Sequence, residues 1–389
     1  MAGSKAAIGV DVKEITVITP SEATPSHVLP LSTLDSQLFL RFTIEYLFLY
    51  RSQQQQQQQQ QQPLPPPHLR PPQRRPLPRP PPPPTSSSTA PSLPLSLPQP
   101  PLPPSPRRRP LLPPPLILQL TWLPDGAAAL ALAFNHCIID GIGTSLFLHS
   151  FADLASGRRS RLSDLLPLPV WDRHLPSLNS SSTTTTAPLT SSRPHPEFLK
   201  LPDPTGFAKR FSQEALVPTS VVFDAEKIGR MKKMAAVGGG SKGKGGGYTG
   251  FEVVSGWVWR SWAGALGMEV GTVRMVEVVG WGVGGAAEAV RRAKEAVGEE
   301  AYVREVVEAV GAGACPDTVG VLVVSQWSRL GLDRVDFGMG RPLQVGPLST
   351  DRYCLILPVC GQRDAVRVVV ALPSSAVPKY DYLVRNPTS

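Results

Sequence analysis

The stretch Phe134-Asn135-His136-Cys137-Ile138-Ile139-Asp140-Gly141 is the most informative part of this chain. It continues a run of small and apolar residues with strand character, Ala128 to Phe134, and leads into a turn that contains two glycines. An imidazole can take a proton from a hydroxyl or an amine near neutral pH and later return it to a leaving group. The stretch therefore makes His136 a candidate general base, accompanied by Asp140 four positions later.

A second motif, Asp336-Phe337-Gly338-Met339-Gly340, lies near the C-terminus. The order His-x-x-x-Asp-Gly in mid-chain and Asp-Phe-Gly-x-Gly downstream resembles the plant BAHD acyltransferases, which use coenzyme A thioesters. Four longer stretches are also similar to this family, at residues 31–51, 116–157, 251–267 and 317–384. The resemblance implies an α/β (α+β) fold of two similar chloramphenicol-acetyltransferase-like domains, with mixed sheets flanked by helices.

A low-complexity segment interrupts this pattern. Residues 53–62 are an uninterrupted glutamine tract, and residues 63–115 hold more than half of the chain's 45 prolines. Proline lacks the amide donor that helices and sheets need, so we predict a disordered or polyproline II-like segment over residues 52–115. The predicted organisation has five parts: the start of the N-terminal domain (1–51), the disordered segment (52–115), the remainder of the N-terminal domain (116–161), a crossover linker (162–216) and the C-terminal domain (217–389).

The formal net charge of +9 is concentrated in the same low-complexity segment. Eight arginines and no acidic residue fall between residues 51 and 114, so the rest of the chain is close to neutral and we expect no nucleic-acid partner.

The four cysteines form no Cys-x-x-Cys pair, and neither a signal peptide nor a long membrane-spanning apolar run is evident. These features predict a reduced, cytoplasmic protein without a membrane span, and we expect a monomer.

Local patterns predict the elements around the first motif. Leu116 to Trp122 are followed, across a proline-aspartate-glycine turn, by the run into the motif, which is typical of a β-hairpin. Phe147, Phe151 and Leu154 then recur at helical spacing, and a glycine follows where that helix should end. His136 would lie in a strand-to-helix connection.

The second half carries its own signals. Thr249 and Glu252 form a Thr-x-x-Glu capping box, which predicts a helix with Val254, Val258 and Trp262 on one face. Further elements are predicted at residues 286–310 (helix), 319–327 (strand), and 353–359 with 365–372 (hairpin), while residues 12–17 near the N-terminus alternate like a strand.

Site roles follow partly from chemistry and partly from the resemblance, which implies that His136 deprotonates an acceptor that attacks the thioester directly, without a covalent acyl-enzyme. Cys137 offers a nucleophilic alternative, but no second histidine is placed to activate it. Asp140 could orient the imidazole as in a Ser-His-Asp triad, or, as the resemblance implies, act structurally and pair with an arginine of the second domain. A metal at His136 and Asp140 would need a third ligand, and neither His149 nor His195 has a convincing spacing, so none is expected.

The resemblance assigns a structural role, holding the loop that shapes the coenzyme A channel, to Asp336, Phe337, Gly338 and Gly340, with Met339 at a position that is usually tryptophan. Ser325 and Trp327 correspond to positions that border the acyl carbonyl and could donate hydrogen bonds to the oxyanion. Trp327 could equally pack the end of a sheet. Acyl-CoA is the expected co-substrate, and no permanently bound cofactor is expected.

The resulting hypothesis is transfer of a hydroxycinnamoyl, fatty acyl or acetyl group from acyl-CoA to a small alcohol or amine.

Two departures from the family pattern support an alternative, a catalytically impaired or non-catalytic relative of the family. Residues 52–115, which could be translated non-coding sequence, stand where the family carries elements of its first domain. After Arg274 the chain lacks the family segment bearing the arginine expected to pair with Asp140. Losing the partner of a buried carboxylate typically costs about 3–5 kcal/mol.

Overall fold

A computed structural model describes residues 11–17, 31–33, 35, 42–52, 116–159, 195, 198, 203, 206–238, 247–268, 283–314, 319–348 and 353–386. The predicted disordered segment, apart from Ser52, most of the predicted linker, and the region after Arg274 where an arginine-bearing segment was expected lie outside these ranges. The predictions for them stay predictions. Within the ranges above, no helix is both long and apolar enough to cross a membrane.

The described chain contains both strands and helices, and its eight strands build two four-stranded sheets. In chain order the elements are β1 (Thr43–Tyr50), β2 (Leu116–Trp122), β3 (Ala128–Asn135), α1 (Gly141–Ala155), α2 (Phe207–Gln213), β4 (Leu216–Phe223), α3 (Ala225–Gly238), α4 (Gly250–Ala265), α5 (Val283–Val297), α6 (Glu300–Gly311), β5 (Val324–Gln326), β6 (Gln344–Gly346), β7 (Cys354–Pro358), β8 (Val366–Pro373) and α7 (Val377–Arg385). The mixed α/β class predicted from the sequence is confirmed.

The first sheet has the order β2-β3-β1-β6, and all of its pairings are antiparallel. The predicted hairpin is confirmed as β2 and β3, whose connecting turn contains Gly126 at a positive φ of 76°. Along β3, Leu130, Leu132 and Phe134 alternate onto one buried face, as a half-buried strand requires. Among the described residues, every neighbouring pair of strands in this sheet runs in opposite directions.

Helix α1 packs against that buried face directly after the His136 motif. The predicted helix is confirmed. Its most buried residues are Thr144, Leu148 and Ala152, so its buried face is shifted by one position from the phenylalanines whose spacing predicted it. Phe147 instead meets Phe134 at the margin, with ring centroids 5.5 Å apart. The helix ends before Gly157, whose φ of +69° is the left-handed conformation expected after a helix terminus.

The second sheet has the order β4-β8-β7-β5 and is mixed, since β5 pairs parallel to β7 while β4, β8 and β7 are antiparallel. The predicted hairpin of residues 353–359 and 365–372 is confirmed as β7 and β8. The predicted capping box is also present: the Thr249 hydroxyl accepts from the Glu252 amide, and the Glu252 carboxylate accepts from the Thr249 amide at 2.8 Å. Helix α4 behind this box buries Val254, Val258 and Trp262, as predicted.

Several element predictions are wrong in detail. Residues 11–17 form no strand, and Ile15 is 78% exposed, because no described strand pairs with them. The single helix predicted over 286–310 is two helices, α5 and α6, separated at Gly298. The strand predicted over 319–327 is reduced to β5, preceded by Gly320 at a φ of +67°. Helix α2 and the first residue of β4 lie inside the predicted linker 162–216, and β6, from the predicted C-terminal part, belongs to the first sheet.

Strand β7 is buried on both faces. Cys354 and Ile356 point into the core of the second half, beside Val368 and Val370. Leu355 and Leu357 point the other way, into the core that α1 and β3 build. Because successive side chains of a strand alternate between its faces, β7 joins both cores.

We predict that Leu355→Ala lowers the free energy of unfolding by about 2–5 kcal/mol, since it removes a side chain that is only 2% exposed. The measurement is urea denaturation followed by circular dichroism. Leu118→Ala is the matched control, because Leu118 is 41% exposed and its truncation should change stability by about 0.5 kcal/mol or less. Equal losses in the two variants would show that β7 does not join the cores.

Candidate active site

His136 is the first residue after β3 and lies in the turn between that strand and α1, as predicted. Its amide donates to the carbonyl of Phe42 at 2.9 Å, and its half-buried imidazole lies 5.1 Å from the Phe42 ring. Phe42 in turn lies 5.2 Å from the ring of Tyr353, the residue just before β7. The candidate base is thus held where the two halves of the molecule meet.

Asp140 caps helix α1. Its extended backbone (φ −96°, ψ −172°) lets one carboxylate oxygen accept from the Gly143 amide at 2.7 Å. Gly143 has to be small at this point, because a Cβ would lie 2.9 Å from Ile139 and 3.3 Å from the carboxylate. No hydrogen bond joins Asp140 to the His136 ring within the described residues, which argues against the triad interpretation. Asp140 is also exposed, so the expected cost of an unpaired buried carboxylate does not arise.

Ser325 and Trp327 lie on one face of β5 and its continuation. Ser325 is paired in register with Leu355 and therefore faces the first core with it. Trp327 is 1% exposed and stacks on Tyr46, with ring centroids 4.5 Å apart. Burial raises the pKa of Tyr46 to about 12, so Tyr46 is a neutral phenol in this stack. Trp327 packs as the structural alternative proposed, whereas the Ser325 hydroxyl is engaged by no described residue.

The Asp336–Gly340 loop is tied to the end of α1. One Asp336 oxygen accepts from the Gly338 amide at 2.8 Å, and the other lies 3.7 Å from the Arg158 guanidinium. Phe337 meets Phe151 edge to face at 5.2 Å, and Met339 packs against the same core. Gly338 and Gly340 have φ values of +92° and +76°, which side chains with a Cβ rarely adopt. These contacts hold the shape of the loop.

A basic cavity of about 880 Å³ opens on the other side of β5. It is lined by five cations, Lys232, Arg329, Arg334, Arg341 and Arg363, and by two acids, Asp333 and Asp364. All five cations are exposed, and none forms an ion pair within the described part of the chain. Such a set of free cations suits a ligand with several phosphate groups.

The cavity and the first core lie on opposite sides of β5. Gln326 and Ser328 line the cavity, while their neighbours Ser325 and Trp327 face the other way, and His136 is not part of the lining. The sequence interpretation missed these cations. Their signal is the density of arginines between residues 329 and 341, one of which directly follows the Asp-Phe-Gly motif. Phe42, which lies beside His136, and Tyr353, which lies beside Phe42, were not predicted either, because the sequence offers no local signal for them.

Burial argues against a nucleophilic role for Cys354 and Cys137. Cys354 is fully buried, and burial raises the pKa of its thiol to about 12, which disfavours the reactive thiolate. Cys137 is buried as well and is not part of a disulfide. Among the described residues, no group of three histidine, cysteine, aspartate or glutamate side chains is arranged to hold a metal.

Comparison with known proteins agrees with this architecture. Residues 106–285 and 277–382 match the model of a family described as the Transferase family. The chain is 29% identical over 299 residues to a fatty alcohol:caffeoyl-CoA acyltransferase of Arabidopsis thaliana, covering 68% of this chain and 65% of that protein. It is 30% identical over 305 residues to an omega-hydroxypalmitate O-feruloyl transferase of the same plant, covering 68% and 63%. The chain thus spans just under two thirds of the length of these relatives.

Solved structures support the fold. TRI101 from F. graminearum, in complex with coenzyme A and deoxynivalenol, aligns with a TM-score of 0.52 at 12% identity over 68% of this chain and 67% of that one. TRI101 from F. sporotrichioides, in complex with coenzyme A and T-2, aligns with a TM-score of 0.51 at 13% identity over 69% and 68%. Because the identities are low, this likeness concerns the arrangement of sheets and helices.

We predict that Asp140 stabilises the fold as a helix cap. Asp140→Ala should lower the free energy of unfolding by about 1 kcal/mol, whereas Asp140→Asn should change it little, because asparagine also caps well. Chemical denaturation of the two variants checks this. An Asn variant as unstable as the Ala variant would contradict the capping role and favour a role that needs the charge.

Proposed function

This chain belongs to the Transferase family, in its BAHD group, and we propose that it transfers an acyl group from an acyl-CoA to an alcohol or amine acceptor. The observation that carries the proposal is the position of His136, half-buried at the end of β3 where the two halves meet, with a basic cavity across β5. An acyl-CoA reaction needs a base for the acceptor and cations for the phosphates, and His136 and the cavity are candidates for these two roles.

In the proposed reaction, the imidazole of His136 takes the acceptor's proton as its oxygen or nitrogen attacks the thioester carbonyl. A tetrahedral oxyanion forms, and the Ser325 hydroxyl, which faces the side of the first core, is the candidate donor to it. The intermediate collapses with release of coenzyme A thiolate, which takes up the proton held by His136. No covalent acyl-enzyme is required, because the acceptor itself attacks.

The cavity would hold the phosphate-bearing end of coenzyme A. Arg329 and Arg334 are exposed on its rim and free of ion pairs with described residues, so binding phosphate breaks no existing pair. The names of the relatives suggest a hydroxycinnamoyl donor, caffeoyl or feruloyl, and a long aliphatic alcohol as acceptor. We also expect a monomer in the cytoplasm, where Cys137, Cys354 and Cys360 would stay reduced.

A second candidate function is binding of coenzyme A without transfer. It is favoured by β2, the edge strand of the first sheet, where Leu118, Leu120 and Trp122 are 41%, 47% and 60% exposed. Exposed apolar residues in this number suggest that this face of the first sheet is left uncovered by the described residues.

We predict that His136→Ala lowers turnover of feruloyl-CoA with hexadecanol about 10²- to 10⁴-fold, the usual contribution of a general base. Affinity for coenzyme A should be unchanged, because His136 does not line the cavity. Cys137→Ala is the control and should retain turnover. A native chain that binds coenzyme A but transfers no acyl group from caffeoyl-, feruloyl- or acetyl-CoA would support the second candidate function instead.

The cations of the basic cavity lead to a separate prediction about coenzyme A binding. Arg329→Gln should weaken coenzyme A binding about tenfold in calorimetric titration, since a charged hydrogen bond to phosphate is lost, and the difference should shrink at high salt. Arg304→Gln is the matched control, because Arg304 is an exposed α6 arginine paired with Glu300. Equal effects of the two substitutions would mean that the cavity does not bind the phosphates.

A further inference from the structure

One stretch of chain forms much of the basic cavity. Residues 326–341, which we call the cavity segment, run from the end of β5 to just beyond the Asp-Phe-Gly motif and include Arg329, Arg334 and Arg341 of the lining. Beyond Gln326, the last residue of β5, the segment contains no strand and only a short 3-10 helix, Leu332–Arg334. Few of its own backbone hydrogen bonds can therefore fix its path.

Side chains from the first half hold this segment by its carbonyl oxygens. The Ser145 hydroxyl donates to the carbonyl of Leu330, and His149 Nε2 lies 3.1 Å from that of Gly331. Further along the segment, the Tyr50 hydroxyl donates to the carbonyl of Val335 at 3.1 Å, and the Arg158 guanidinium donates to the carbonyl of Asp336. We call Ser145, His149, Tyr50 and Arg158 the carbonyl clasp.

The His149 contact fixes the point where the segment bends. Gly331 has a φ of +73°, and a Cβ there would lie 2.7 Å from the Arg334 guanidinium and 3.3 Å from His149 Nε2. The bend thus leaves no room for a side chain at Gly331, because the His149 imidazole and the Arg334 guanidinium both lie where its Cβ would be. Since a carbonyl oxygen only accepts, His149 must carry its proton on Nε2 to make this bond.

Resting on the proposed function, we infer that Ser145 and His149 are positioning residues for the acyl-CoA site. They stand on α1, the helix that Asp140 caps directly after His136, and they bind the bend that separates Arg329 from Arg334. The clasp therefore fixes the positions of the candidate phosphate-binding cations relative to α1, the helix that begins just after the candidate base. None of the clasp residues is part of the cavity lining.

The test compares the full acyl donor with one that lacks the nucleotide. The variant Ser145→Ala/His149→Phe should bind coenzyme A about tenfold more weakly by calorimetry, with two hydrogen bonds lost, and should raise the KM for feruloyl-CoA similarly. Its kcat should change less than about twofold, and its kcat/KM for the feruloyl thioester of N-acetylcysteamine should also stay within about twofold, because that donor carries no phosphate. The single variant His149→Gln, which retains Ser145 and keeps a donor near the position of Nε2, should retain most of the native affinity for coenzyme A.

His195→Phe is the matched control, because His195 is a second half-buried histidine that bonds Glu305 on α6, away from the lining. If the double variant unfolds, Ser145→Ala alone should still weaken coenzyme A binding about threefold, one hydrogen bond being lost. Native-like coenzyme A affinity in the clasp variants, or equal losses with both donors, would overturn the inference. A native chain that does not bind coenzyme A would overturn the proposed function, and the clasp inference with it.

Discussion

The alternation of side chains along β7 is the constraint on which the rest of the structure depends. Leu355 and Leu357 enter the first core while Cys354 and Ile356 enter the second, so neither core is complete without this strand. A strand with two buried faces can be apolar at every position, and Cys354 to Leu357 are. Burial on both sides fixes its rotation, because a shift by one residue would exchange the two sets.

Two functional surfaces follow from that fixed strand. β5 pairs with β7 in parallel, which sends Ser325 and Trp327 toward the first core and Gln326 and Ser328 toward the basic cavity. Tyr353, immediately before β7, reaches the ring of Phe42 and through it the neighbourhood of His136. The candidate base and the candidate phosphate surface are therefore related through the pairing of β5 with β7 and the ring contact of Tyr353 with Phe42.

Local chemistry explains which parts of this fold could be predicted. The β2–β3 hairpin and the Thr249 capping box are set by residues within a few positions of one another, and both were predicted correctly. The placement of β6 in the first sheet was not, since it depends on pairing with β1 across almost the whole chain. The cavity cations come from segments distant in sequence, and their meeting depends on the bend at Gly331 and on α1.

Asp140 shows how one carboxylate of a motif can serve the local backbone. From the sequence it was either an orienting partner of His136 or a structural carboxylate paired with an arginine; aspartate is also among the best helix caps, and here it bonds the Gly143 amide. Only four residues separate the end of β3 from this cap, so fixing the helix start also fixes the turn that holds His136. The same cap sets the rotation of α1 and thus the direction in which Ser145 and His149 point. A single cap thereby orients the residues on both sides of it, the candidate base before the helix and the carbonyl clasp along it.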